Sequence, residues 1–166
     1  MVVDGQVLVE SGAIIEGLLD AAEGNVLRPT DPAALQQFRF WLHYAEGSLM
    51  PPLLVKLIIG RIRSAPVPFF MKPVMKGIAN KVDGAYTDPE VAKHFAFLES
   101  SLDGKDWFLG EFSAVDVQLG YPIEAALARA SKHPMPNLEA WVKRCRARPA
   151  YARAEERGGP CGVPGA

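Results

Sequence analysis

The sequence is poor in cysteine, in charge of one sign and in long apolar runs, and each shortage removes a class of protein. Its 166 residues hold only two cysteines, Cys145 and Cys161. That is too few for the disulfide framework of a small secreted domain, and it points to a reducing, cytoplasmic compartment. The 18 basic residues stand against 19 acidic ones, for a net charge of −1. No field is left to recruit nucleic acid or an anionic membrane, so neither is expected as a partner. The longest apolar stretch, residues 53–62, is interrupted by Lys56 and Gly60 and falls short of the ~20 residues that cross a bilayer. The N-terminus lacks the basic segment and apolar core of a secretory signal. His43, His94 and His133 have no Cys or carboxylate at ligand spacing, so no metal site is assigned. Strand signals are confined to the first nine residues.

What is present is the composition of one ordinary soluble domain, 49% hydrophobic and 22% charged. Val2-Val3 and residues 6–9 flank Asp4-Gly5, a strong two-residue hairpin signal because both turn positions need positive φ. From Ser11 onward the chain reads as helix. The first helix covers about residues 12–22 and stops near Gly24, before a connector over 25–30. Asp31-Pro32 opens a long helix over about 32–63, Asp as cap and Pro in the first helical position. Pro51-Pro52 removes two donors and is expected to bend it. Further helices are predicted over 69–81, from Asp88-Pro89 to Leu102, over 113–130 with Pro122 inside, over 137–147, and over 150–156. Residues 158–166 are too rich in Gly and Pro to pack and read as a flexible tail.

The most informative stretch is VLVESGAIIEGLL, residues 7–19. A short strand runs into Glu10-Ser11 and then into an amphipathic helix. Ser11 is placed to cap that helix, so its hydroxyl and the free first-turn N–H groups converge on one spot suited to a carboxylate or phosphate. The stretch resembles the ESxAI signature that closes the thioredoxin-like domain of the glutathione transferase family. WLHYAEGSLMPPL (41–53) and ARPAYARA (147–154) look like a bacterial branch of it.

The resemblance implies a mainly α fold. It divides the chain into a thioredoxin-like remnant (1–24), an all-helical C-terminal domain (31–157) and the tail. It implies that Glu10 and Ser11 hold the γ-glutamyl end of glutathione, the co-substrate, that the protein forms a homodimer, and that a small-molecule electrophile is the second substrate. In the family the catalytic Tyr, Ser or Cys precedes this motif, so no catalytic residue is assigned here. The expectation is a truncated or late-starting transferase, inactive as this chain. The alternative is a non-catalytic helical module that self-associates through Leu53, Leu54, Leu57, Ile58 and Ile59.

Phe112-Ser113-Ala114-Val115-Asp116-Val117 is a second signal. Ser113 caps a helix, Asp116 three residues on reaches back to its N–H, and Phe112 and Val117 are spaced as a hydrophobic staple. It resembles the family's F-S/T-x-A-D box, with Val115 in place of Ala, and capping accounts for Asp116 better than catalysis does. Tyr44 and Ser48, one turn apart, are candidates for a substrate cleft, against the reading that Tyr44 and Trp41 simply pack and His43 lies at the surface. Cys145 between Arg144 and Arg146 reads as a half-buried helical thiol, and Trp107 as a core anchor.

Overall fold

The structure, a computed structural model, describes residues 1–3, 5–24, 27–130 and 134–159. Asp4, the connector residue Asn25, His133, Cys161 and the tail from residue 160 lie outside the described residues. Strands β1 (Val2–Val3) and β2 (Gln6–Val7) pair antiparallel, Val2 opposite Val7 and Val3 opposite Gln6. Gly5, at φ +79°, supplies the left-handed turn conformation. The rest is helical: α1 (Ser11–Ala21), α2 (Pro32–Tyr44), α3 (Met50–Arg63), α4 (Lys72–Val82), α5 (Asp88–Ser101), α6 (Ala114–Ala130), α7 (Pro136–Arg146) and α8 (Pro149–Gly158). Residue 158 thus belongs to a helix rather than to a tail.

The helices begin where local chemistry says they should. Asp31 accepts the Ala34 N–H at 2.9 Å with Pro32 next to it, satisfying one of the orphan donors of α2. The start of α7 is capped from a distance: the Asn137 and Leu138 N–H groups donate to Glu99 of α5 at 2.8 and 3.0 Å. The long helix foreseen over 32–63 is interrupted by a π-helical turn, Ala45–Leu49, just before Pro51-Pro52. Prolines cannot donate to the carbonyls one turn back, and a widened turn accommodates the loss. A second π-helical turn, Asp83–Thr87, stands before Asp88-Pro89 and joins α4 to α5.

The core is built from four helical stripes at three- and four-residue spacing: Phe38, Trp41 and Ala45, continued by Leu49; Val91, Phe95 and Leu98, continued by Leu102; Val115, Leu119, Ile123 and Ala126; Leu138, Trp141 and Cys145. Such spacing keeps one face of each helix turned inward. Phe108, from the loop before α6, packs against Trp41 and Trp141 at ring separations of 4.8 and 5.5 Å. Phe108 is the fully buried anchor, and Trp107 packs against the core from its edge. Trp107 is half-buried, edge-on to Phe112 and beneath the Arg144 and Arg148 guanidinium groups. Phe112 likewise lies under Arg148 while Val117 is exposed, so the ring is covered by a cation rather than by the staple.

The box at the start of α6 is present and does more than cap. Asp116, 2% exposed, accepts the Ser113 N–H at 2.9 Å and its hydroxyl at 3.2 Å, the Phe108 N–H at 3.3 Å and the Trp141 indole N–H at 2.9 Å. The Ser113 hydroxyl donates to Asp116 instead of accepting from the helix. Burial pushes the carboxyl pKa up, against the pull of these donors. At the second π-helical turn Asp83 is buried and bound by Thr87, Arg63 and Lys56. Burial raises it, but the hydroxyl and the two cations outweigh that, and its pKa lies below the ordinary carboxylate value.

Asp116→Ala strands three buried N–H donors as well as removing the charge. It is expected to cost on the order of 3 kcal/mol, read as a lower urea midpoint with an unchanged m-value. Asp116→Asn, which keeps one acceptor oxygen, should cost less.

Candidate functional site

The chain enters α1 through a strained residue. Glu10 has φ +67° and ψ 124° and is the one non-glycine residue with positive φ among those described. A β-carbon in this region costs about 1–3 kcal/mol, and such strain collects at functional sites. Its carbonyl accepts the Ile14 N–H at 2.9 Å, which makes Glu10 the cap residue and Ser11 the first residue of the helix. Glu10 makes no side-chain cap bond. The expectation that Ser11 caps α1 is therefore corrected. The strained turn moves the cap position back by one residue, and the Ser11 hydroxyl finds partners elsewhere.

Those partners come from the helical domain. Ser11 Oγ donates to Glu46 Oε1 at 3.0 Å, and Gln118 Nε2 donates to both Ser11 Oγ (2.9 Å) and Glu46 Oε1 (3.1 Å). Gln118 is 6% exposed, while Ser11 and Glu46 are open to solvent. Glu46 lies on the first π-helical turn and Gln118 on α6. Three distant segments thus meet beside the α1 N-terminus, whose first N–H groups lack intrahelical acceptors and carry partial positive charge. Neither Glu46 nor Gln118 is marked by a motif in the sequence. A lone Gln on an otherwise apolar α6 stripe, beside Val115 and Leu119, is the one hint that was available.

Tyr44 and Ser48 are not brought together. Tyr44 is buried among Phe40, Trp41 and Phe97 at ring separations of 5.7, 5.4 and 5.4 Å, and its hydroxyl meets His94 Nδ1 at 2.7 Å. Burial raises the phenol pKa and lowers that of His94, so a neutral imidazole accepting from the phenol is the favoured arrangement. Ser48 is exposed on the π-helical turn, as is His43 on α2.

A cavity of about 380 Å³ between α6 and α8 is lined by Val117, Tyr121, Cys145, Arg148 and Tyr151, and another of about 490 Å³ by Phe40, Trp41, Phe97 and Lys105. Neither is lined by Ser11, Tyr44 or Ser48. Burial pushes the Cys145 thiol up to about 12 despite Arg144 and Arg148, which keeps it protonated and unreactive. Among the described residues no group of three His, Cys, Asp or Glu side chains is placed to hold a metal ion, and no helix is long and apolar enough to cross a membrane.

Residues 65–149 match the family model for the glutathione S-transferase C-terminal domain. The chain is 29% identical over 157 residues to glutathione S-transferase 1 of Saccharomyces cerevisiae, a match covering 92% of this chain and 67% of the yeast protein. Among solved structures, a glutathione S-transferase from Actinobacillus pleuropneumoniae superposes with a TM-score of 0.74 at 25% identity, covering 97% of this chain and 68% of that one. A glutathione transferase homologue from Sulfitobacter, solved with bound glutathione, gives 0.66 at 20% identity over 95% of this chain and 80% of that one. The chain belongs to the glutathione S-transferase family, and its residues 65–149 are the part that matches that family's C-terminal domain. It spans about two thirds of the length of the yeast relative.

If Glu10 holds its strained conformation for the site, relief should stabilise the fold and harm binding. Glu10→Gly is expected to raise stability by about 1 kcal/mol in thermal melts while weakening affinity for glutathione by isothermal titration.

Proposed function

We propose that this is a glutathione S-transferase-like protein that grips the γ-glutamyl end of glutathione at Glu10 and Ser11, the grip that serves conjugation to a small-molecule electrophile in the intact enzyme. Residues 1–24 then act as part of the glutathione-binding domain and 31–157 as the helical domain. The observation that carries this reading is the junction of Ser11, Glu46 and Gln118 beside the strained entry to α1. It supplies free N–H donors for a carboxylate and ties the binding segment to the helical domain through side chains. A membership in the transferase family gives that junction its ligand class.

Binding and catalysis separate here. The side chains bonded to Ser11 are a carboxylate and an amide, and a carboxylate opposes a nearby thiolate rather than favouring it. The one described thiol, Cys145, is buried and protonated. The 166-residue chain is therefore expected to bind glutathione, seen by titration calorimetry, and to show no conjugation of glutathione to an aromatic halide above the uncatalysed rate. Clear turnover would overturn the second half of this reading, and absence of binding the first. A reducing cytoplasm, where glutathione is abundant, is the compartment that fits.

A second reading, a non-catalytic self-associating module, rests on a different observation. Packed against each other, α3 and α4 both show apolar side chains to solvent. Leu54 is 52% and Ile58 49% exposed, and Phe69, Phe70, Val74 and Ile78 are more than half exposed. Of the apolar residues proposed for self-association, Ile59 is buried and Leu53 and Leu57 are half-buried, which leaves Leu54 and Ile58 to meet a partner. The module reading uses this surface for its homodimer. Leu54→Glu with Ile58→Glu should shift sedimentation from a dimer to an 18.0 kDa monomer with little change in helical circular dichroism. A wild-type monomer at high concentration would rule the dimer out.

A further inference from the structure

The net charge of −1 conceals a separation of signs along the chain. No acidic residue stands between Glu46 and Asp83, while six basic ones do: Lys56, Arg61, Arg63, Lys72, Lys76 and Lys81. Lys56 and Arg63 are paired with Asp83 and Asp88. Arg61, Lys72, Lys76 and Lys81 are exposed and make no ion pair among the described residues. Total charge gave no reason to expect a membrane partner, but attraction to a surface acts over a Debye length and so depends on local charge. Within this cationic stretch the connector from α3 to α4 reads Ala65-Pro66-Val67-Pro68-Phe69-Phe70-Met71 and holds no polar side chain, where a surface loop is ordinarily polar. Phe69 is 83% and Phe70 66% exposed, their rings edge-on at 5.8 Å. Met71, Val74 and Ile78, at three- and four-residue spacing, carry the exposed apolar surface along α4. The backbone of the connector suits a medium without water. Pro66 and Pro68 have no N–H, the Ala65 N–H donates to the Ile62 carbonyl at 3.2 Å, and the Met71 N–H to the Pro68 carbonyl at 2.9 Å. These four residues bring no bare donor that hydrocarbon would strand.

We propose that the α3–α4 tip docks on an anionic phospholipid bilayer: Phe69, Phe70 and Met71 enter the membrane interface while Arg61, Lys72 and Lys76 meet its headgroups. Arg61 lies in the last turn of α3. Lys72 and Lys76 lie within about 6 Å of the start of α4 along its axis, at the usual rise per residue. That is inside the screening length of about 8 Å at physiological salt. Apolar insertion and headgroup attraction then act together, which is how a peripheral protein holds to a surface without crossing it. A second copy of the chain is a poorer match for the tip, because a two-fold interface would set the same unpaired cations against each other. Leu54 and Ile58, on α3, are left to self-association. Single-stranded nucleic acid would stack on the two rings but has no use for Met71, Val74 and Ile78.

The test is sedimentation of the full 166-residue chain with vesicles of phosphatidylcholine alone and of phosphatidylcholine mixed equally with phosphatidylglycerol. Wild type is expected to sediment with the anionic vesicles and to stay in solution with the neutral ones. Lys72→Gln with Lys76→Gln should weaken that partitioning about 25-fold, at about fivefold for each cation. Phe69→Ser with Phe70→Ser should weaken it about tenfold or more. All four side chains are exposed, so helical circular dichroism should not change. Phe70→Trp should show blue-shifted emission on anionic vesicles, quenched by brominated acyl chains. Wild type that stays in solution, equal binding to neutral vesicles, full binding by the double serine variant, or Phe70→Trp emission that keeps its aqueous wavelength overturns the proposal. Failure to bind vesicles together with tight binding of oligouridylate would assign the patch to nucleic acid. The same failure together with loss of a dimer in the double serine variant would assign it to a second copy.

Discussion

Four hydrogen bonds converge on the buried carboxylate of Asp116, and the arrangement of the helical domain depends on them. They join the start of α6, the loop that delivers Phe108, and Trp141 of α7. Phe108 and Trp141 are themselves central to the aromatic core, so one charged group orients the apolar contacts around it. Burying a carboxylate is costly unless its oxygens are satisfied. Once they are, the low local dielectric strengthens each bond. The same helix, held in this way, presents Gln118 two residues further on toward Ser11. The structural hub and the junction with Ser11 thus lie on nearly opposite sides of α6.

Proline placement shapes the other side of that junction. Both π-helical turns lie directly upstream of a proline near the start of the next helix, Pro51-Pro52 in one case and Pro89 in the other. A π-helical turn shifts the phase of the residues after it relative to those before. In the first, Ala45 and Leu49 stay buried while Glu46 is exposed and reaches Ser11. In the second, Asp83 is drawn inward to Arg63 and Lys56 of α3, and the α3–α4 pair is fastened to α5. One wide turn serves the contact with Ser11 and the other serves packing.

The N-terminal segment is held by few contacts, and its strain is therefore informative. Two strands of two residues are marginal by themselves. Leu19 reaches the core, and the Ser11 hydrogen bonds add a polar tether. A non-glycine residue in a positive-φ conformation at this point, Glu10, persists against a cost that a glycine would avoid. Retaining it makes sense where the side chain or the first-turn N–H groups are needed for a ligand.

Much of the fold was legible along the chain. The helix starts at Asp31-Pro32 and the box from Ser113 to Asp116 are written in adjacent residues, because capping acts over three or four positions. The apolar stripes of α2, α5, α6 and α7 follow from a period of 3.6 residues, and the Glu10-Ser11 pair marked the likeness to transferases. Tertiary structure alone decided where polar side chains ended up. Ser11 found Glu46 and Gln118, 35 and 107 residues away, the Tyr44 hydroxyl turned inward to His94, and Phe108 took the fully buried place with Trp107 packed at its edge. These outcomes hang on the phase of one helix against another, which a single widened turn resets, and no local pattern in the chain encodes that phase.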